Sequence, residues 1–347
     1  MMKSTTRILA LLLTLALCLT LCACNHAPTK GDDAFGKAPE LPPAESNTAE
    51  KESATVYGLV GPTGVALADL VRRNSEGNTG LNYTVELATT PEEIVGKLTT
   101  GETDFAAMPT NLAATLYQKT NGAIQVLALN TGCVLYVVEN GDQIHSITDL
   151  KGKTVLSTGE GANPEFLMRY LLTENNLEED VTLEFVAENE EMAAKLVSGE
   201  ADIALVPEPL CSTVLSKNTD LRVALSLGDE WIKAQNNSTP YMGCVVVNKQ
   251  FAIDFPNRVE AFLADYKVSV EAAKTDVKTV AALCEQYGIV GSAAIAEKAL
   301  PRCALTCVTG GDMPNALDPY LSVLFTADPK SVGGKLPDSE FYYKGLQ

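Results

Sequence analysis

EEIVGKLTTGETDFAAMPTNLAATL, residues Glu92 to Leu116, returns further along the chain as EEMAAKLVSGEADIALVPEPLCSTV, residues Glu190 to Val214. Laid over each other without a gap, Glu93 falls on Glu191, Lys97 on Lys195, Leu98 on Leu196 and Gly101-Glu102 on Gly199-Glu200. Asp104 falls on Asp202, Ala106 on Ala204 and Pro109 on Pro207. Each copy reads as a helix, a glycine stop, a short apolar strand and a second helix, which makes the two copies the cores of two equivalent α/β units.

Working outward from the first copy, Thr55–Val60 reads as a strand broken by Gly61-Pro62-Thr63-Gly64, with a helical pattern over Val65–Arg73. Tyr83–Leu87 is a strand, Pro91–Thr99 a helix with proline in its first turn, and Asp104–Met108 a strand. Thr110 is positioned to cap a helix running to Tyr117, and Ile124–Leu129 is the next strand. Around the second copy the series repeats. Thr154–Leu156 is a strand, Ser157–Asn163 a glycine-bearing loop, Pro164–Leu172 a helix and Thr182–Ala187 a strand. Glu190–Val197 is a helix, Asp202–Val206 a strand, Pro209–Ser216 a helix and Leu221–Leu225 a strand. Such alternation builds mostly parallel sheets flanked by helices. Two similar phrases, Gly132-Cys133-Val134-Leu135 and Gly243-Cys244-Val245-Val246, lead into and out of the second unit and read as β-rich linking segments.

The ends of the chain speak to location. Lys3 and Arg7 precede an apolar run from Ile8 to Cys22, short for a membrane span, which closes on Leu21-Cys22-Ala23-Cys24. That closing phrase reads as a lipobox, with residues 1–23 a signal peptide and Cys24 the lipidated N-terminus, carrying palmitate or similar acyl chains. Residues 24–53, rich in Pro, Ala, Glu and Lys, lack the apolar surface to fold and read as a tether with a reach of roughly 30 Å.

Composition excludes several classes. The 26 Lys and Arg against 44 Asp and Glu give a net charge of −18, and loss of Lys3 and Arg7 with the signal makes it −20. No basic stripe remains to neutralise phosphates, so nucleic acid is not an expected partner. His26 and His145 are the only histidines, and no cysteine cluster has zinc spacing; neither metal nor cofactor is expected. Beyond the signal and Cys24 six cysteines remain: Cys133, Cys211, Cys244, Cys284, Cys303 and Cys307. The matching positions of Cys133 and Cys244 on the linking segments raise a hinge disulfide as one possibility and two buried thiols as the other.

Several motifs carry a family resemblance by their order and spacing: Gly61-Pro62-Thr63-Gly64, Thr100-Gly101-Glu102-Thr103-Asp104, Asp149-Leu150-Lys151-Gly152-Lys153 and Ser198-Gly199-Glu200-Ala201-Asp202. Gly333-Gly334-Lys335-Leu336-Pro337-Asp338, with Phe341-Tyr342-Tyr343 behind it, completes the set. Over Ala54–Gly345 the chain resembles a solute-binding lipoprotein of an ABC importer, in the branch with nitrate, sulfonate, taurine and thiamine-pyrimidine receptors. The resemblance implies an α/β, two-lobed class II periplasmic-binding-protein fold. It gives lobe 1 as 54–135 with 245–347, lobe 2 as 136–244, and two linking segments as the hinge. It further implies a monomer that takes a small-molecule ligand and docks on a membrane permease, held to the bilayer through acylated Cys24.

Ligands of open α/β sheets bind beyond the carboxyl ends of the strands. The loops there are Gly61–Gly64, Pro109–Asn111, Ser157–Asn163 and Pro207–Pro209. Candidate ligand contacts are therefore Gly61, Thr63, Gly64, Pro109, Thr110 and Asn111 on one wall, and Ser157, Thr158, Gly161, Asn163 and Glu208 on the other. Tyr57 and Tyr241 are candidates to stack on a ring, and Trp231 belongs to a polar helix. Helix-start amides suit an anionic head group. Glu208 and Glu160, with no arginine in these loops, argue instead for a small polar organic ligand bearing an amine or heterocycle. An enzyme of the pyrimidine-synthase type is the rival reading, but neither histidine lies on a cleft loop and no nucleophile stands beside a base. A ligand-sensing lipoprotein that signals to a membrane partner is the other alternative.

Overall fold

The computed structural model describes residues 51–235 and 237–345. The signal peptide, Cys24 and the tether up to residue 50 lie outside the described residues.

Strand β1 (Ser53–Leu59) leads to a one-turn helix α1 (Pro62–Val65), α2 (Ala68–Ser75), β2 (Asn82–Ala88), α3 (Pro91–Thr100), β3 (Phe105–Pro109), α4 (Thr110–Lys119) and β4 (Ile124–Thr131). The chain then crosses into β5 (Leu135–Asn140), β6 (Thr154–Ser157), α5 (Asn163–Glu174), β7 (Thr182–Phe185) and α6 (Asn189–Ser198). β8 (Ile203–Pro207), α7 (Leu210–Lys217), β9 (Leu221–Ser226) and α8 (Leu227–Ala234) complete that part. It crosses back into β10 (Gly243–Asn248), α9 (Lys249–Asp254), α10 (Pro256–Thr275), α11 (Val277–Gln286), α12 (Ala293–Ala299), β11 (Leu305–Thr309) and α13 (Met313–Ala327).

These strands form two sheets, one ordered β11-β4-β10-β3-β1-β2 and the other β7-β6-β8-β5-β9. Read from β2 and from β7, the two orders are the same up to the extra edge strand β11. Four strands in each sheet run one way: β1 to β4 in the first, and β6 to β9 in the second. The strand wedged between the third and fourth of each set runs the other way, and it is the strand the chain enters on crossing over. β5 pairs antiparallel with β8 and β9, and β10 with β3 and β4. The Gly-Cys-Val phrases thus do more than link the lobes, since each ends as an inner strand of the sheet it enters.

The repeat has a local physical cause. α3 and α6 both stop on a left-handed glycine, Gly101 (φ 74°) and Gly199 (φ 77°), a conformation that a side chain would strain. The following amides turn back in the same way: Glu102 N–H donates to the Lys97 carbonyl at 3.0 Å and Glu200 N–H to that of Lys195 at 2.9 Å. The paired side chains then meet, Lys97 with Glu102 at 2.5 Å and Lys195 with Glu200 at 3.1 Å. Leu98 and Leu196 are buried beneath, as are Ala106 and Ala204 on β3 and β8. The four consecutive buried positions of β3 and of β8 are those of central strands covered on both faces.

α13 packs against α5 of the second lobe as well as β4 of the first, and Tyr320 on it meets Trp231 on α8 edge-on at 5.8 Å. One apolar cluster therefore runs through both lobes behind the loops. The six cysteines of the described residues are free thiols, all buried except the partly buried Cys307. Cys133 and Cys244 form no disulfide, so the buried-thiol alternative holds. Burial raises both thiols, Cys133 to about 12, and Cys244 Sγ lies 3.6 Å from the Met108 carbonyl it donates to.

Candidate ligand-binding cleft

All four predicted loops sit at the carboxyl ends of parallel strands. After β1 the chain turns at Gly61, whose φ of 92° favours glycine. It then passes so close to its own strand that a Cβ on Gly64 would lie 2.3 Å from the Leu59 carbonyl oxygen. Thr63 is 9% exposed and its carbonyl accepts from Asn130 Nδ2 at 3.3 Å. After β3, Pro109 occupies the cap position of α4 and Thr110 lies inside the helix. Thr110 is not the N-cap expected of it: its hydroxyl donates to the Tyr241 carbonyl at 2.9 Å and its amide to that of Met242 at 3.0 Å. Fully buried, it pins the start of α4 to the second crossing segment.

On the facing wall Ser157 is buried and donates to the Thr158 carbonyl at 2.9 Å, while Thr158 Oγ1 donates to Asn189 Oδ1 at 3.0 Å. Gly161 (φ 70°) donates its amide to Glu165 Oε2 at 2.7 Å, and Glu165 is paired in turn with Arg169 at 2.6 Å. Ala162 caps α5, which leaves the Asn163 side chain free for another task. Asn163 Nδ2 donates to Asn111 Oδ1 at 3.0 Å. α4 belongs to one sheet and α5 to the other, so this hydrogen bond brings the two helix starts face to face. Both asparagines are partly exposed.

Glu208 departs from its expected setting. Its side chain is 0% exposed and turned toward the first turn of α7, with Oε2 accepting the Ser212 amide at 3.1 Å and Oε1 the Ser212 hydroxyl at 3.0 Å. Arg302, in the turn after α12, pairs with it at 3.3 Å. Burial pushes this carboxyl above the ordinary range, and the Ser212 bonds and Arg302 pull it back. Its charge has a partner, which removes the argument that a bare carboxylate in the cleft demands a cationic ligand. Nothing in the local pattern of Pro207-Glu208-Pro209 signals Arg302, which arrives from a segment 94 residues further on.

Tyr57 is buried in the core, and its hydroxyl donates to Glu86 on the neighbouring strand, a bond that raises its own pKa. Tyr241 is half-buried beside Thr110. Trp231 is wholly buried, with Nε1 donating to Ser238 Oγ at 2.9 Å. Two of the larger cavities among the described residues lie away from these loops. One of about 630 Å³ sits under the opposite ends of β6 and β8, and one of about 690 Å³ runs between α5 and α13. Neither lining includes a predicted site residue. The first is confined to one lobe and the second is walled largely by helix sides. Only the loops bring the strand ends and helix starts of both lobes together, so the candidate site is placed there. Among the described residues no group of His, Cys, Asp and Glu has the makings of a metal site, and no helix is long and apolar enough to cross a membrane.

Two sheets of matched topology with opposed helix starts define a two-lobed periplasmic-binding-protein fold, and comparisons with known proteins agree. An ABC transporter structure from Parabacteroides distasonis superposes with a TM-score of 0.68 at 24% identity, covering 84% of this chain and 99% of that one. The periplasmic aliphatic sulphonate binding protein SsuA of Escherichia coli gives 0.66 at 14% identity, covering 85% and 93%. The periplasmic nitrate-binding protein NrtA of Synechocystis PCC 6803 gives 0.51 at 13% identity, covering 84% and 83%. No curated protein sequence matches the chain. Residues 67–297 match the family model described as "ABC transporter, phosphonate, periplasmic substrate-binding protein", and the chain belongs to that family. It is the solute-binding component of an ABC importer and acts outside the cytoplasm.

Proposed function

We propose that the protein captures a small polar organic solute between its lobes, closes on it by hinge motion and delivers it to the importer's permease. The moving bodies are residues 54–135 with 245–347, and 136–244. The observation that carries the reading is the Asn163–Asn111 hydrogen bond, which sets the first turns of α4 and α5 against each other. A solute bridging those turns gains contacts from both lobes only in the closed form, and so selects it. Helix-start amides with the positive end of the helix dipole suit an oxyanion head group, and the family description and the sulphonate-binding neighbour support that chemistry. No bond is made or broken; the function is binding rather than catalysis. Diacylated Cys24 holds the monomer to the outer face of the cell membrane through its tether.

A thermal-shift panel of methylphosphonate, ethanesulfonate, nitrate, amino acids and aminated heterocycles tests the reading. At least one compound raises the melting temperature of wild type, and Asn111→Leu and Asn163→Leu, at partly exposed positions, abolish that rise while melting cooperatively. A rise retained in both variants would remove these loops from the site.

A further inference from the structure

The corner Lys298–Arg302 belongs to the first lobe, since it lies between β10 and β11 of the six-stranded sheet, yet its side chains reach the second. Arg302 Nη1 donates to Glu208 Oε1 at 3.3 Å and to Ser212 Oγ at 3.1 Å. Tyr136 on β5 donates its hydroxyl to the Arg302 carbonyl at 2.7 Å, and Lys298 Nζ donates to Ser216 Oγ on α7 at 3.0 Å. Among the described residues, Arg302–Glu208 is the one ion pair joining the two lobes. Among the described residues, the other direct side-chain hydrogen bonds between lobes are the Asn163–Asn111 contact and, on the second crossing segment, those of Thr110 with the Tyr241 carbonyl and of Cys244 with the Met108 carbonyl. The corner is also anchored to the hinge, because the Ala304 carbonyl accepts the Gly132 amide of the first crossing segment at 3.0 Å.

We propose that Arg302 is a positioning residue of the binding site: through Glu208 it clasps the β8–α7 ligand loop to the first lobe beside the hinge and biases the lobes toward closure. The inference takes from the proposed function only that the lobes move relative to each other. A carboxylate with 0% exposure loses its counter-charge if the corner swings away, so opening separates charges that closure pairs. Every contact in the clasp is made by the chain itself. The bias therefore does not depend on which solute binds, and solute contacts at Asn111 and Asn163 add to it.

The test is hydrogen exchange on the full-length chain in detergent with no solute added, so its outcome is independent of the ligand panel. Arg302→Gln removes the cation. Glu208→Gln removes the charge but leaves an acceptor for the Ser212 amide. Each variant is expected to speed exchange in α7 and α12 about tenfold while β1 and β3 keep wild-type rates. The double variant is expected to be no faster than either single one, the non-additivity of one shared interaction. Arg302→Lys, which keeps the charge and one donor, restores part of the protection. Wild-type rates in α7 and α12 of Glu208→Gln, or additive effects in the double variant, would overturn the clasp. Should Arg302→Gln fail to fold, Glu208→Gln and Arg302→Lys decide it.

Discussion

Replacing Gly64 by alanine tests the tight turn that builds the first wall of the cleft. An alanine Cβ there would lie 2.3 Å from the Leu59 oxygen and 3.3 Å from its carbonyl carbon. Both are backbone atoms at the end of β1, so no rotamer change relieves the contact. Restoring an ordinary separation moves α1 away from β1 by several tenths of an ångström or more. Overpacking of this kind costs about 1–3 kcal/mol. For a domain of this size each kcal/mol lowers the melting temperature by about 2–4 °C, so the expected loss is roughly 2–12 °C. Gly96→Ala is the matched control. It lies inside α3, nothing comes within 4 Å of its added Cβ, and helix propensity favours alanine by roughly 0.5–1 kcal/mol. Differential scanning calorimetry of the two variants should move in opposite directions. A Gly64→Ala protein as stable as wild type would refute the close approach, and with it the geometry assigned to the Gly61–Gly64 loop.

The remaining predictions concern the tail, the thiols and the anchor. Tyr117 donates to Asp338 at 2.6 Å and holds that carboxyl below its usual range. A depressed folded pKa contributes stability above the unfolded value near 3.9 and loses it as pH falls through the folded value. Tyr117→Phe should therefore flatten the acid limb of a stability–pH profile, by less than about 1 kcal/mol because Asp338 is exposed; an unchanged limb argues against the bond. The five buried cysteines should resist a thiol reagent at pH 8 until the protein is unfolded, and reductant should leave their number unchanged. Cys24→Ser should move the protein from the membrane fraction to the soluble one, and full retention would exclude acylation at Cys24 as the anchor.

Much of the fold was legible because its signals are local. The Lys-Leu-x-x-Gly-Glu phrase encodes a helix that stops on a left-handed glycine and swings an acid back to a lysine, and both copies do so. The strands at Ile124 and Leu221 begin where their apolar runs begin. What was not legible comes from distant parts of the chain. The helix expected over 65–73 is instead α1 and α2, separated by Ala66 and Leu67, because the turn must first pack Gly64 against Leu59. Thr110 has the residue type of a helix cap, but its hydroxyl goes to Tyr241, a partner 131 positions away. Glu208 reads as a bare cleft carboxylate until Arg302 is brought beside it by the return of the chain to the first sheet. The insertion of β5 and β10 as inner antiparallel strands depends on the pairing of whole sheets, which no short window of residues encodes.

The most direct test of opposed helix starts is a covalent one. Paired substitution Asn111→Cys and Asn163→Cys replaces two side chains now in contact across the lobes with thiols that can bridge if their Cα atoms lie within about 7 Å. Under mild oxidation, non-reducing peptide mapping should recover the segments around 111 and 163 joined by a disulfide, and the locked protein should neither take up nor release solute until it is reduced. Two freely alkylated thiols in the folded, oxidised protein would mean that these loops do not meet, and the shared cleft would be contradicted.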